Sequence, residues 1–557
     1  MKRIISVLLA MLMLLSVCSA GVYALGDIGT ETSNIAVHSS RSQVPVIRLL
    51  GDGEPLYDAD QNKIFHLRTF YIPEDDSEES DVLDSVANVL FPFLVDGLLN
   101  DNWEPYYENL QKEISDIFGN SRLDENGNPI DGTGISQARK DEMAEALKTD
   151  QKVGKGYYGI NDYRFWYDWR LDPLYTADLL HDHIQKVKAA SHCEKVSIMA
   201  SCLGTIVTTA YITKYGTRDL HGVGFTGSVS GGAEAVSEAI SGKFDIDGAA
   251  INRMLIDSDY VGEFSVDAFI TSSIELLTEA GVIDGLEQGV RETLYAKLVE
   301  GVTSALALST FFTWPNYWAL VTPEDYDTAM SYVFGDDNSE KRKTYAGLIE
   351  KIENYNEIVR KNYKATIKSI GANGVKFGAV AKYGFQILPV CQSNDIVSDQ
   401  FVSLKNSSFG ATTSKIDGTL SQDDIDARIA EGKGDCISPD KKVDASTCLY
   451  PESTWFMKNV SHSEYTTFER KLLYDVITAD RQIKVGDVVD GLTYSRFLVY
   501  DYDTDIMATM TEENCNTEHW KVGNEIEELA PKHSKIVTFV LALLNWLKLV
   551  ASKLFKF

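Results

Sequence analysis

The segment KVSIMASCLGT, residues 195 to 205, holds two side chains that can attack a carbonyl, Ser201 and Cys202. A nucleophile thrown out of a sharp strand-to-helix turn needs small residues two positions before and two after it, or the turn collides with itself. For Ser201 those neighbours are Met199 and Leu203, which are bulky; for Cys202 they are Ala200 and Gly204. The spacing therefore selects Cys202. At the first turn of a following helix, the helix dipole and a nearby imidazole would both favour its thiolate. The competing reading is a buried cysteine in an ordinary apolar strand. A thiol nucleophile of this kind needs a base, an acid that fixes the base, and two backbone N–H groups for the oxyanion.

Nine histidines are present, and chain order narrows the base, because the fold that carries such elbows places its histidine last. His462 follows an apolar run, WFMKNV, and precedes a helical pattern, whereas His519 and His533 fall in the charged tail. The acid is expected a few residues beyond a late strand. QILPVCQSNDIVSDQF, residues 386 to 401, offers Asp395, with Asp399 as the alternative. The oxyanion donors are expected at Leu203 and in the turn after the first strand, LLGDGEP, at Gly53 and Glu54. No cofactor is expected, and the cysteine and histidine spacings match no metal pattern.

These residues need a scaffold that ends several strands at one edge. VPVIRLLG, residues 44 to 51, reads as a buried parallel strand; KVSIMA, SCLG and TIVTTAYITKYG read as strand, turn and helix; GVGFTGS, residues 222 to 228, is the next strand. Strand signals return at GFQILPVC (384–391), at TWFMKNV (454–460), and more weakly at RQIKVGDVV and SRFLVYDY. Such alternation predicts an α/β fold with a mostly parallel sheet. The expected core spans 43–232 and 375–525, with a helical cap inserted at 233–374. The loop DENGNPIDGTG, residues 124 to 134, superficially resembles a calcium loop, but Pro129 stands where the turn needs glycine and the terminal Glu is missing, so it is read as a polar turn.

Composition sets the class. Residues 1–24 place basic side chains before an apolar run ending in small residues, the layout of a secretory signal peptide. The formal charge of −30 among 557 residues argues against a nucleic-acid partner. Near the end, KIVTFVLALLNWLKLVASKLFKF, residues 535 to 557, sets Asn545, Lys548, Ser552 and Lys556 along one stripe of an otherwise apolar helix. Residues 531–557 are therefore read as an amphipathic segment suited to a membrane surface.

FWYDWRLDP at 165–173, then about twenty helical residues, then KVSIMASCLGT, resembles the lecithin:cholesterol acyltransferase family, in which a Tyr-Asp-Trp-Arg segment precedes the elbow at similar spacing. The resemblance aligns the family's oxyanion turn with VIRLLGDG, its Gly-Gly segment with SVSGG at 228–232, its acid with the SNDIV loop and its base with His462. It implies an α/β-hydrolase core with a cap, and acyl transfer or ester hydrolysis on lipid substrates. Two departures stand out: Cys202 replaces the family's serine, with Ser201 where a histidine is usual, and the acid loop is one residue shorter than the family's Asp-Gly-x-Val form. The expectation is a secreted or surface acyltransferase or lipase-type esterase with a Cys202–His462–Asp395 triad. The alternative is a catalytically silent binding protein on the same fold.

Overall fold

The computed structural model describes residues 44–51, 54–65, 93, 96–97, 100–148, 162–245, 250, 297, 300–301, 303–305, 307–387, 391–501 and 506–516. Residues 1–24, expected as a leader, Gly53, and residues 531–557, expected as an amphipathic segment, lie outside them. Among the described residues, no helix is long and apolar enough to cross a membrane.

Eight strands form one sheet: β1 Val46–Leu49, β2 Asp162–Arg164, β3 Val196–Cys202, β4 Leu220–Ser228, β5 Lys376–Tyr383, β6 Thr454–Lys458, β7 Phe497–Asp501 and β8 Ile506–Thr509. Their spatial order is β8-β7-β6-β5-β4-β3-β1-β2. Every neighbouring pair is parallel except the β7–β8 hairpin at one edge. A parallel sheet needs cover on both faces, so its central strands are buried along their whole length rather than at alternate residues. All seven residues of β3 are buried accordingly.

One face carries α1 Pro173–Ser191, α2 Leu203–Tyr215 and α4 Tyr363–Ala372, with α2 against β3 and β4 and α4 against α2 and β5. The other carries α5 Thr467–Thr478, laid across β3, β4 and β5. Between them in sequence, the short helix α3 covers Glu234–Ser241. Glycine sets how closely α5 can lie: a Cβ at Gly222 would sit 2.4 Å from the Ile477 carbonyl oxygen. Among the described residues three apolar clusters are buried, one on each face and a third around Ala381, Tyr383, Phe456 and Phe497. Ile47, Leu49, Ile198, Ala200 and Phe225 join the larger one, while Val46, Met199, Val380 and Trp455 pack with Leu473 and Ile477 of α5.

The strand before the acid loop differs from expectation. Of the apolar run GFQILPVC, the described residues 384–387 and 391 lie outside the sheet; the preceding KFGAVAKY is the strand, as β5. Its small residues fit the tight packing of α5, since a Cβ at Gly378 would lie 2.9 Å from Val476 Cγ1. Low side-chain bulk hides such a strand from hydropathy. The weak signal at RQIKVGDVV also falls outside the main sheet, as a two-residue hairpin strand, Val488–Val489 paired with Leu492–Thr493. The 124–134 loop is a polar turn: Asp124 Oδ1 accepts from the Asn126 and Asn128 N–H groups, and Lys351 Nζ donates to Asn128 Oδ1 at 2.7 Å.

Candidate active site

The sheet brings the chemistry to the C-terminal ends of β3, β4, β5 and β6. β3 runs directly into α2, and the residue at the junction, Cys202, has φ 46° and ψ −126°. A non-glycine residue in that region is strained and persists only where its surroundings enforce it. The enforcing contact is visible two residues on, where a Cβ at Gly204 would stand 2.6 Å from the Leu49 carbonyl oxygen of β1. Alternation along β3 sends Ser201 to the opposite face, into a small cavity lined by Met199, Thr226, Glu469 and Leu473, where its hydroxyl is buried without a partner. The small-flank argument and the backbone thus agree on Cys202.

His462 sits in the loop between β6 and α5. Its Nδ1 lies 2.7 Å from Oδ2 of Asp399, and its backbone N–H donates to the Asp399 carbonyl at 2.8 Å. The other carboxylate oxygen, Oδ1, accepts from the Phe401 and Val402 N–H groups at 3.1 and 2.9 Å. Asp399 is therefore fixed from both sides. Nε2 has no hydrogen-bond partner among the described residues, and Cys202 is the group besides Asp399 near enough to act on the imidazole. Burial disfavours the imidazolium, but the charges of Asp399 and Cys202 and the hydrogen bond to Asp399 outweigh it and raise the His462 pKa to about 10. The Phe401 ring packs 4.9 Å from the imidazole on one side. Gly227, with φ +49°, gives it room on another, for a Cβ there would lie 3.1 Å from His462 Cε1.

The expected acid, Asp395, is not at this centre. Its carboxylate pairs with Lys415 at the surface, and its carbonyl accepts from Ile416. The physical reason lies in the strand boundary. Because β5 ends at Tyr383 and not near Cys391, the connection to the acid is long, and it is Asp399 that returns to the sheet edge. Phe401 and Gly227 had no distinguishing signal in the sequence.

Leu203 is the first residue of α2, where an N–H has no acceptor one turn back and stays available to an oxyanion. Glu54 pairs its carboxylate with Arg139 at 2.9 Å and its carbonyl accepts from Trp169 Nε1 at 3.0 Å, contacts that leave aside its N–H, the group expected at the oxyanion. The neighbouring YDWR segment is bound into the core. Arg170, with no exposed surface, makes a two-pronged pair with Asp168 at 2.6 and 2.9 Å and donates to the Ser121 carbonyl. Trp169 packs edge-on against Trp314, ring centres 5.0 Å apart.

Among the described residues, no group of three or more His, Cys, Asp or Glu side chains is arranged to hold a metal ion. Comparison with known protein families finds no family model that matches this chain, and comparison with curated proteins finds no match either.

Proposed function

We propose that the chain is an enzyme that transfers or hydrolyses acyl groups through a Cys202–His462–Asp399 triad, and that it acts outside the cell on lipid or related esters. The observation that carries this reading is the strained Cys202 backbone at the β3–α2 junction, beside an imidazole whose Nδ1 is already held by a buried carboxylate. Strand order supports an α/β-hydrolase reading, with the nucleophile after β3, the acid after β5 and the histidine after β6. The class of substrate, the cap and export rest on the resemblance to the lecithin:cholesterol acyltransferase family and on the leader at 1–24.

In this mechanism the Cys202 thiolate, paired with the His462 imidazolium, attacks the ester carbonyl. A C–S bond forms, the carbonyl electron pair moves to oxygen, and the Leu203 N–H stabilises the resulting charge. As the tetrahedral species collapses, the departing alkoxide takes the proton from His462 and leaves a thioester on Cys202. Water or an acceptor alcohol then gives its proton to His462 and attacks, the C–S bond breaks, and the thiolate returns. Asp399 keeps Nδ1 protonated throughout, so that Nε2 carries the traffic.

One observation favours the silent-scaffold reading: Cys202 and His462 are only 2% and 3% exposed. Incubation of the purified protein with a panel of short-chain and phospholipid esters, followed by intact mass, separates the two. Turnover with a Cys202-dependent acyl adduct supports the enzyme. A chain that turns over nothing and gains no adduct is a binding protein.

A further inference from the structure

Asp399 lies in a long connection between β5 and the short helical turn at Leu404–Ser407, and such a loop does not hold a carboxylate to a fraction of an ångström by itself. Its supports come largely from α3, a helix outside the triad. Glu234, the first residue of α3, accepts the Ser403 N–H on Oε2 and the Asn406 side-chain amide on Oε1, both at 2.8 Å. One helical turn later, Glu238 accepts the Ser393 N–H on Oε2 at 3.2 Å and hydrogen-bonds the buried Cys391 thiol. Between these anchors the Ala235 N–H reaches the Phe401 carbonyl at 3.4 Å. Phe401 is the residue that packs on His462 and whose own N–H holds Asp399.

We propose that Glu234 and Glu238 are positioning residues that grip the acid loop on either side of Asp399 and so set the alignment of His462. The proposal rests on the triad reading given above. The two carboxylates stand four residues apart on one helix, and the loop residues they hold, 393 and 403, bracket Asp399 at distances of six and four residues. Burial pushes both carboxyls above the usual range, against the hydrogen bonds that favour their charged forms. Placing two dehydrated carboxylates side by side, with Asp325 also close to Glu238, is unfavourable for stability alone. That cost is consistent with a role in holding the loop.

The test separates this role from the chemistry it serves. In a Cys202→Ala background, which needs no substrate, the Nδ1 proton shared by His462 and Asp399 gives a low-field proton resonance. Glu234→Ala is expected to broaden or abolish that resonance while far-ultraviolet circular dichroism stays unchanged. Glu234→Gln is expected to keep it, since Asn406 can rotate its amide to face the new one. With Cys202 present and an ester that turns over, Glu234→Ala is expected to lower kcat roughly ten- to hundredfold with little change in KM, as misplacement of a catalytic group does. A sharp, unshifted resonance in Glu234→Ala overturns the proposal, and so does loss in Glu234→Gln as complete as in Glu234→Ala. Should Glu234→Ala fail to fold, Glu238→Ala replaces it with the same expectations. If no ester is turned over at all, the triad reading fails, while the resonance still decides what holds the loop.

Discussion

Among the buried ion pairs of this core, Arg170–Asp168 and His462–Asp399 are built to opposite ends. Arg170 and Asp168 saturate one another: the guanidinium spends its donors on Asp168, the Ser121 carbonyl and the Thr133 hydroxyl. His462 and Asp399 are equally dehydrated, yet the pair stops short of saturation, because Nε2 is left without a hydrogen-bond partner among the described residues, beside Cys202 in its strained conformation. A completed network fixes a shape; an incomplete one with strain beside it is the arrangement the proposed chemistry needs.

The largest effect that can break this comparison falls on the nucleophile. Cys202→Ala is expected to abolish ester turnover, whereas Ser201→Ala, on the opposite face of β3, should retain most of it; the reverse pattern, read in a standard ester assay, overturns the elbow assignment. Next come the partners. Asp399→Asn should lower kcat by roughly three to four orders of magnitude, the scale seen when the carboxylate that fixes a catalytic imidazole is neutralised. Asp395→Asn should do little, since Asp395 only meets Lys415 at the surface. Equal losses from the two would mean that the loop, not the carboxylate, matters.

Arg170→Ala should act in the other direction, costing about 3–5 kcal/mol of stability by leaving Asp168 buried and unpaired, while the folded fraction keeps its specific activity. Urea titration together with activity per folded molecule checks this, and a stable but inactive variant would place Arg170 in the site.

A fourth expectation uses two buried histidines. Burial, with a smaller contribution from Lys186, pushes His183 down to about 4, whereas Asp399 and Cys202 hold His462 up near 10. At pH 7–8 nuclear magnetic resonance should find His462 protonated and His183 neutral. The His462 shift also carries a sign for stability. Its folded value lies above the ordinary 6.5, so its contribution is present in full below about pH 6.5 and is lost as pH rises through about 10. In Asp399→Asn, burial is left with less opposition, and His462 should fall towards or below 6.5.

How far the sequence spoke for these features depended on whether they were local. The elbow was legible because its constraint, two small flanks around Cys202, acts within five residues, and the same locality gave β1, β3, β4 and α2 close to their observed bounds. His462 was legible from chain order. From the sequence Asp399 stands only as the alternative to Asp395, since placing the acid requires knowing where β5 ends. That strand is rich in glycine and alanine because α5 packs tightly on it, a tertiary cause that leaves little hydropathy behind. The imidazole's neighbours Phe401 and Gly227 and the anchors Glu234 and Glu238 are long-range contacts with no periodic signature. The expectations for the leader, Gly53 and the terminal amphipathic segment lie outside the described residues.

The central claim is that Cys202 is a nucleophile activated by His462. The most direct measurement is intact mass followed by peptide mapping after brief exposure to an activated acyl ester. It is made on the unaltered protein and on Cys202→Ala, Ser201→Ala and His462→Ala. A Cys202 nucleophile activated in this way gives a single hydroxylamine-labile acyl group on the peptide containing Cys202, undiminished in Ser201→Ala, absent in Cys202→Ala and slowed by several orders of magnitude in His462→Ala. Acylation of another residue, or acylation of Cys202 at the same rate with and without His462, would contradict it.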